Sequence, residues 1–76
     1  MAELNATVEP IEITVNGEEA MVSSGLTISQ LLLFLDMRED RVAVEVNKKI
    51  VNKRDWPSTD VLDGDKLEIV QFVGGG

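Results

Sequence analysis

The sequence predicts an α+β domain, a mixed sheet of four to five strands packed on one main helix. Three observations carry that prediction. Ile11–Val15, Arg41–Asn47 and Lys66–Val73 alternate apolar with polar residues, the period of two expected of half-buried strands. Only Ile28–Leu35 shows the helical pattern, with Ile28, Leu31, Leu32 and Leu35 at i, i+3, i+4 and i+7. Asn16-Gly17 directly follows the first alternating run and is a strong hairpin signal, because a type I′ turn needs positive φ at both central residues. One helix with one apolar face, beside alternating strands, has a single economical solution, which is to lie across the sheet.

Each element can be justified in turn. Residues 1–10 show no period and mix small, polar and acidic types, so they read as a flexible leader that Pro10 closes. Ile11, Ile13 and Val15 then share one face of the first strand, and Glu18–Val22 returns as its hairpin partner. Ser23-Ser24-Gly25 breaks the second strand. Thr27-Ile28-Ser29-Gln30 fits a capping box, in which the Thr27 hydroxyl and the Gln30 carboxamide satisfy otherwise unpaired N–H groups. The helix is expected to end near Asp36–Glu39. Leu33 and Phe34 lie off its stripe, so either the helix is covered on more than one side or it carries an exposed apolar spot. In the third strand the valines form the inner face. Asn47-Lys48-Lys49 is a polar turn before the short apolar pair Ile50-Val51. Arg54-Asp55-Trp56-Pro57 is too irregular for a strand, and Trp56 reads as a core or lid anchor, since an indole buries roughly 150–250 Å². Asp63-Gly64-Asp65 is a turn that lacks the acid spacing of a calcium loop. The last strand runs from Lys66 and is expected to lie parallel to the first, through the crossover helix, in the centre of the sheet.

Composition excludes several functions. Seventy-six residues make one domain, placed here at 11–73, with little room for a deep active site. Cysteine and histidine are both absent, which removes the thiol nucleophile and the commonest general base and metal ligand. No nucleophile–base constellation replaces them, so the chain is read as a non-enzyme with no catalytic residues, no metal and no bound cofactor. Seven basic against fourteen acidic residues give a net charge of −7, which opposes nucleic acid and anionic membranes and favours a positively charged protein partner. No secretory signal or membrane span is evident, and the chain is expected to be a cytoplasmic monomer.

The last three residues, Gly74-Gly75-Gly76, follow the final strand directly. At up to ~3.3–3.6 Å per residue, such an arm carries its carboxylate roughly 10 Å beyond the strand. Lacking Cβ atoms, it can enter a narrow channel closed to other residues. The alternation of the last strand puts Leu67, Ile69, Gln71 and Val73 on one face and Lys66, Glu68, Val70 and Phe72 on the other. If Leu67 and Ile69 face the helix, then Val70 and Phe72 are apolar residues on a solvated face next to the tail. They form a docking patch, unless a bulge or the Trp56 segment covers them.

These pieces together resemble the ubiquitin-like β-grasp sulfur carriers, and among them the ThiS type of thiamine biosynthesis. The resemblance rests on Val15-Asn16-Gly17-Glu18, the Thr27–Leu35 helix, Val44-Glu45-Val46-Asn47 with Ile50-Val51, Trp56, and Asp63-Gly64-Asp65 followed by Glu68–Gly76. It covers Ile11–Gly76, and the third glycine is its one departure. It implies that an ATP-using, ubiquitin-activating-like enzyme adenylates the Gly76 carboxylate and that a sulfur donor converts it to a thiocarboxylate for a thiazole synthase. Gly74, Gly75, Gly76, Phe72 and Val70 are then the partner-binding residues, and ATP belongs to the partner. Carriers for molybdopterin or cysteine synthesis, a protein modifier, and an interaction module with inert glycines are the alternatives.

Overall fold

A computed structural model describes residues 9–72 of the chain. Strands β1 (Pro10–Val15) and β2 (Glu18–Ser23) precede helix α1 (Ile28–Phe34), and β3 (Val42–Val46), β4 (Lys49–Val51) and β5 (Lys66–Gln71) follow. Two 3₁₀ turns, Glu39–Arg41 and Lys53–Ser58, fill the connections. The sheet has the order β2-β1-β5-β3-β4, with β1 parallel to β5 and every other neighbour antiparallel. This is the mixed β-grasp sheet that the sequence predicts, and β5 is its central strand.

Local chemistry explains the element boundaries. Asn16 and Gly17 have φ of 52° and 85°, so the first hairpin closes through the primed turn its sequence demands. The β3–β4 connection repeats the device with Asn47 and Lys48 at 53° and 72°, where the sequence shows only a polar turn. Thr27 caps α1 as expected: its Oγ1 accepts from the Gln30 N–H at 3.2 Å, and Gln30 Oε1 accepts from the Thr27 N–H at 2.9 Å. At the other end Asp36 adopts a left-handed φ of 61°, the Asp36 N–H donates to the Leu33 carbonyl, and the Met37 N–H donates to the Leu32 carbonyl. That pair of bonds is a Schellman closure, here with aspartate in the place glycine usually takes. Helix α1 therefore ends at Phe34, two residues before the expected range of Asp36–Glu39.

One boundary differs from the sequence reading. Pro10 belongs to β1, not to a leader, and the Glu9 carbonyl accepts from the Ser24 N–H at 3.0 Å. Proline is compatible with the first position of a strand, where its missing N–H removes no established ladder bond. Residues 1–8 of the expected leader lie outside the described residues.

The core forms where α1 crosses the sheet. Ile28, Leu31 and Leu32 of the helix meet Ile13, Val44 and Leu67 of the sheet, all at 1% exposure or less. A helix of seven residues has no independent stability, so this contact is what holds it. Trp56, 2% exposed, closes the same core from the Lys53–Ser58 turn, and its indole Nε1 donates to the Val51 carbonyl at 3.0 Å. Burying the indole is tolerable because its one donor is satisfied. Segment 59–61 fastens the start of the helix: Ile28 donates to the Thr59 carbonyl and Val61 to the Leu26 carbonyl. No helix among the described residues is long and apolar enough to cross a membrane.

Trp56→Ala is expected to cost about 3–5 kcal/mol, a large share of the stability of any small domain. Urea unfolding followed by circular dichroism should show the transition shifted or lost. Since Trp56 is the only tryptophan, wild-type emission should be blue-shifted and should move to the red at that same midpoint.

Candidate functional site

The site is built on the half of β5 that leads towards the glycines. Strand β5 alternates as the sequence predicts, with Leu67 and Ile69 at 1% and 5% exposure and Val70 and Phe72 at 60% and 57%. Its pairing with β3 runs without interruption from Val46↔Leu67 to Val42↔Gln71, so no bulge redirects the side chains. Trp56 points into the core, away from this face. Both of the competing explanations for the apolar pair therefore fall away. Phe72 stays attached to the sheet, because its N–H donates to the Arg41 carbonyl at 2.8 Å.

Register extends the patch beyond the two residues read from sequence. Ala43, directly opposite Val70, is exposed on the same face. Ile50 of β4 stands opposite Glu45 and is 76% exposed. The sequence presents Ile50 as half of a short apolar pair; its partner Val51 is opposite the buried Val44 and turns inward, which sends Ile50 outward. Period-two alternation carried through the β3–β4 turn would have marked Ile50, but only the pairing register sets it opposite Glu45 and diagonal to Ala43.

Two carboxylates share the row of Ile50, next to the Ala43–Val70 row. Glu45 and Glu68 are directly opposite each other across β3 and β5, and like charges so placed repel modestly. Lys66 lies further along β5, opposite Thr14 of β1. Leu33 and Phe34, at 77% and 67% exposure, form a separate apolar spot on α1, so the second of the two sequence alternatives for the helix holds. That spot belongs to a different layer of the fold from the β5 patch.

The remaining polar groups do structural work. In the Asp63–Asp65 turn, Asp63 Oδ1 accepts from the Glu12 N–H, and Asp65 Oδ2 accepts from the Leu62 N–H, each at 2.8 Å. Asp65 Oδ1 accepts from the Asn47 side chain at 3.0 Å. These carboxylates brace backbone instead of converging on a point in space. Among the described residues no group of three or more acidic side chains is placed to hold a metal ion. Gly74, Gly75 and Gly76 lie outside the described residues, so the structure brings together Val70 and Phe72 of the predicted site and carries the strand to its last described residue, Phe72.

Among the described residues, one α-helix on a five-stranded mixed sheet of order β2-β1-β5-β3-β4 defines a class by its fold, the ubiquitin-like β-grasp domains. Comparison with known proteins narrows the class, since the profile of the ThiS family matches residues 3–76. The chain belongs to the ThiS family. It is 32% identical over 66 residues to the sulfur carrier protein ThiS of Escherichia coli, covering 87% of this chain and 100% of that one. A crystal structure of the thiamine biosynthesis protein ThiS from Geobacter metallireducens superimposes with a TM-score of 0.76 at 33% identity, over 87% of this chain and 100% of that one. A thiazole synthase of Paramagnetospirillum magneticum is 46% identical over 66 residues, again 87% of this chain, but the chain spans only 20% of that relative's length.

Val70→Ser and Phe72→Ala are expected to change folding stability by less than about 1 kcal/mol, since both positions are mostly exposed. Leu67→Ala, one turn of the alternation away but fully buried, should cost about 2–5 kcal/mol. Urea denaturation of the three variants separates the outward face of β5 from its inward face.

Proposed function

We propose that the chain is a sulfur carrier for the assembly of the thiamine thiazole, its Gly76 carboxylate being the group that is activated and loaded. The observation that carries this reading is the outward pair Val70 and Phe72, set on the strand that runs into the glycine tail of a ThiS-family chain. Docking energy is thereby available a few residues from the reacting atoms.

The chemistry follows from the nature of the terminus. An α-carboxylate is ionised at neutral pH and is a poor electrophile. Attack of a carboxylate oxygen on the α-phosphorus of ATP forms a carbon–oxygen–phosphorus anhydride and expels pyrophosphate. Hydrosulfide, released by a sulfide donor, then attacks the carbonyl carbon through sulfur, the acyl C–O bond breaks, AMP leaves, and the sulfur loses its proton to solvent. The product is a C-terminal thiocarboxylate, a sulfur nucleophile, and no net oxidation or reduction has occurred. Splitting one difficult substitution into two easier ones is the usual logic of covalent activation. This chain contributes the arm and the docking strip. The adenylating partner contributes the ATP site and its acid–base groups. Thiazole synthase as the acceptor is supported by the relative of that name, of which this chain matches one segment. The reading places the protein in the cytoplasm, where ATP and reduced sulfur are available.

Incubation with the adenylating enzyme, ATP and a sulfide donor, followed by intact mass measurement, should show one oxygen exchanged for sulfur, mapped to Gly76. An unchanged mass in that mixture overturns the carrier reading, and ladders of larger conjugates point to a modifier. Gly75→Ala should fold normally and load poorly, because its methyl group obstructs a narrow channel. Phe72→Ala should raise the KM for adenylation roughly ten-fold, the effect of losing about 1.4 kcal/mol of contact.

A further inference from the structure

Beyond the docking strip, one side chain controls how β5 leaves the sheet. The parallel ladder between β1 and β5 is only two residue pairs long, Thr14↔Lys66 and Val15↔Leu67. Its backbone bonds run from the Thr14 N–H to the Asp65 carbonyl at 3.0 Å and from the Asn16 N–H to the Leu67 carbonyl at 2.8 Å. A longer β1 would next offer a carbonyl to the Ile69 N–H and an N–H to the Ile69 carbonyl. It cannot, because at Asn16 the backbone turns left-handed, with φ of 52°, and departs into the hairpin. The Asn16 side chain supplies both groups instead. Its Oδ1 accepts from the Ile69 N–H at 2.7 Å and its Nδ2 donates to the Ile69 carbonyl at 3.1 Å. A carboxamide has the same donor–acceptor pair as a peptide unit, so Asn16 extends the ladder by one step after the strand itself has gone.

The extension stops there. In this ladder the odd-numbered residues of β5 face β1, so Gln71 comes next, and among the described residues its backbone N–H and carbonyl find no partner on that side. On the β3 side the ladder continues to Phe72. The strand is thus held on both sides through Ile69 and on one side through Phe72, which is the stretch that displays Val70 and Phe72.

We propose that Asn16 is a positioning residue for the reactive tail: its carboxamide fixes the segment of β5 that presents Val70, Phe72 and the glycine arm to the adenylating partner. The proposal rests on the carrier reading above. Its effect belongs to the encounter, since a loosened strand presents the patch and the arm in register less often. Once the complex has formed, the partner's own contacts hold the arm, and the chemical step is unchanged.

Asn47 provides an internal control. It too is left-handed, and its Oδ1 accepts from the Lys66 N–H at 3.0 Å, but it grips β5 at the end far from the glycines. Asn16→Gly and Asn47→Gly both keep a residue suited to positive φ, so both turns survive while each loses its carboxamide. The experiment measures urea stability, exchange of the Ile69 and Lys66 amides, and the KM and kcat of ATP–pyrophosphate exchange with the adenylating enzyme. Both variants should lose similar stability, and each should accelerate exchange at its own amide. Asn16→Gly alone should raise KM about five-fold with kcat preserved, the fold-change that corresponds to one hydrogen bond. Asn47→Gly should remain within about two-fold of wild type. Asn16→Asp keeps the acceptor but sets an anionic oxygen against the Ile69 carbonyl, and should also raise KM. Equal KM values for the two glycine variants, or an unchanged KM for Asn16→Gly, would overturn the positioning role and reduce Asn16 to a stabilising residue. If wild type supports no pyrophosphate exchange at all, the carrier reading fails, and the inference fails with it.

Discussion

The pairing of β5 with β1 on one side and β3 on the other joins the two halves of this chain without a covalent cross-link. The domain has no cysteine, and the one α-helix among the described residues is too short to stand alone. The inward side chains of β5, Leu67 and Ile69, therefore complete a floor that neither hairpin could make, and α1 lies across it. A two-stranded hairpin is marginal in water, whereas a sheet of three or more strands with a covered face is stable. The central strand converts two marginal hairpins into one sheet. It is also the strand that leads to the glycines, so the carrier reading sets the loaded terminus beyond the central strand of the sheet.

That arrangement gives β5 one buried and one exposed face. One face of β5 is buried to 5% exposure or less, while Val70 and Phe72 on the other are more than half exposed. Strand geometry makes the division automatic, because successive side chains point to opposite faces. Substitutions on the outer face should thus have little effect on folding. Glu45 and Glu68 are paired on the outer face, and their repulsion is a small local cost.

Two asparagines show how a small domain lengthens strands that its turns cut short. Asn16 and Asn47 both sit in left-handed turns, and both reach β5 with their carboxamides. Asparagine suits this role twice over: it tolerates positive φ better than most residues and carries a donor and an acceptor in one planar group. Turn formation and strand extension are thus achieved by the same residue. Glycine would form the turn equally well and leave β5 one bond pair shorter.

Much of this molecule was legible locally. Strand alternation, the Asn16-Gly17 turn, the Thr27–Gln30 capping box and the apolar stripe of α1 depend on neighbours within a few residues, and the chain specifies them directly. The outward pairing of Val70 with Phe72 followed from period two alone, once Leu67 and Ile69 were assigned to the core. Tertiary structure decided what depends on distant partners. Ile50 joins the apolar strip only through the register of β3 with β4, and Pro10 enters β1 because the far strand of its hairpin is there to pair with it. Leu33 and Phe34 are exposed because, among the described residues, no element packs on the outer side of α1. The Asn16–Ile69 clamp spans 53 positions. A sequence period records which face a residue prefers but not which backbone its side chain will meet, and that is settled only when the ends of the chain come together.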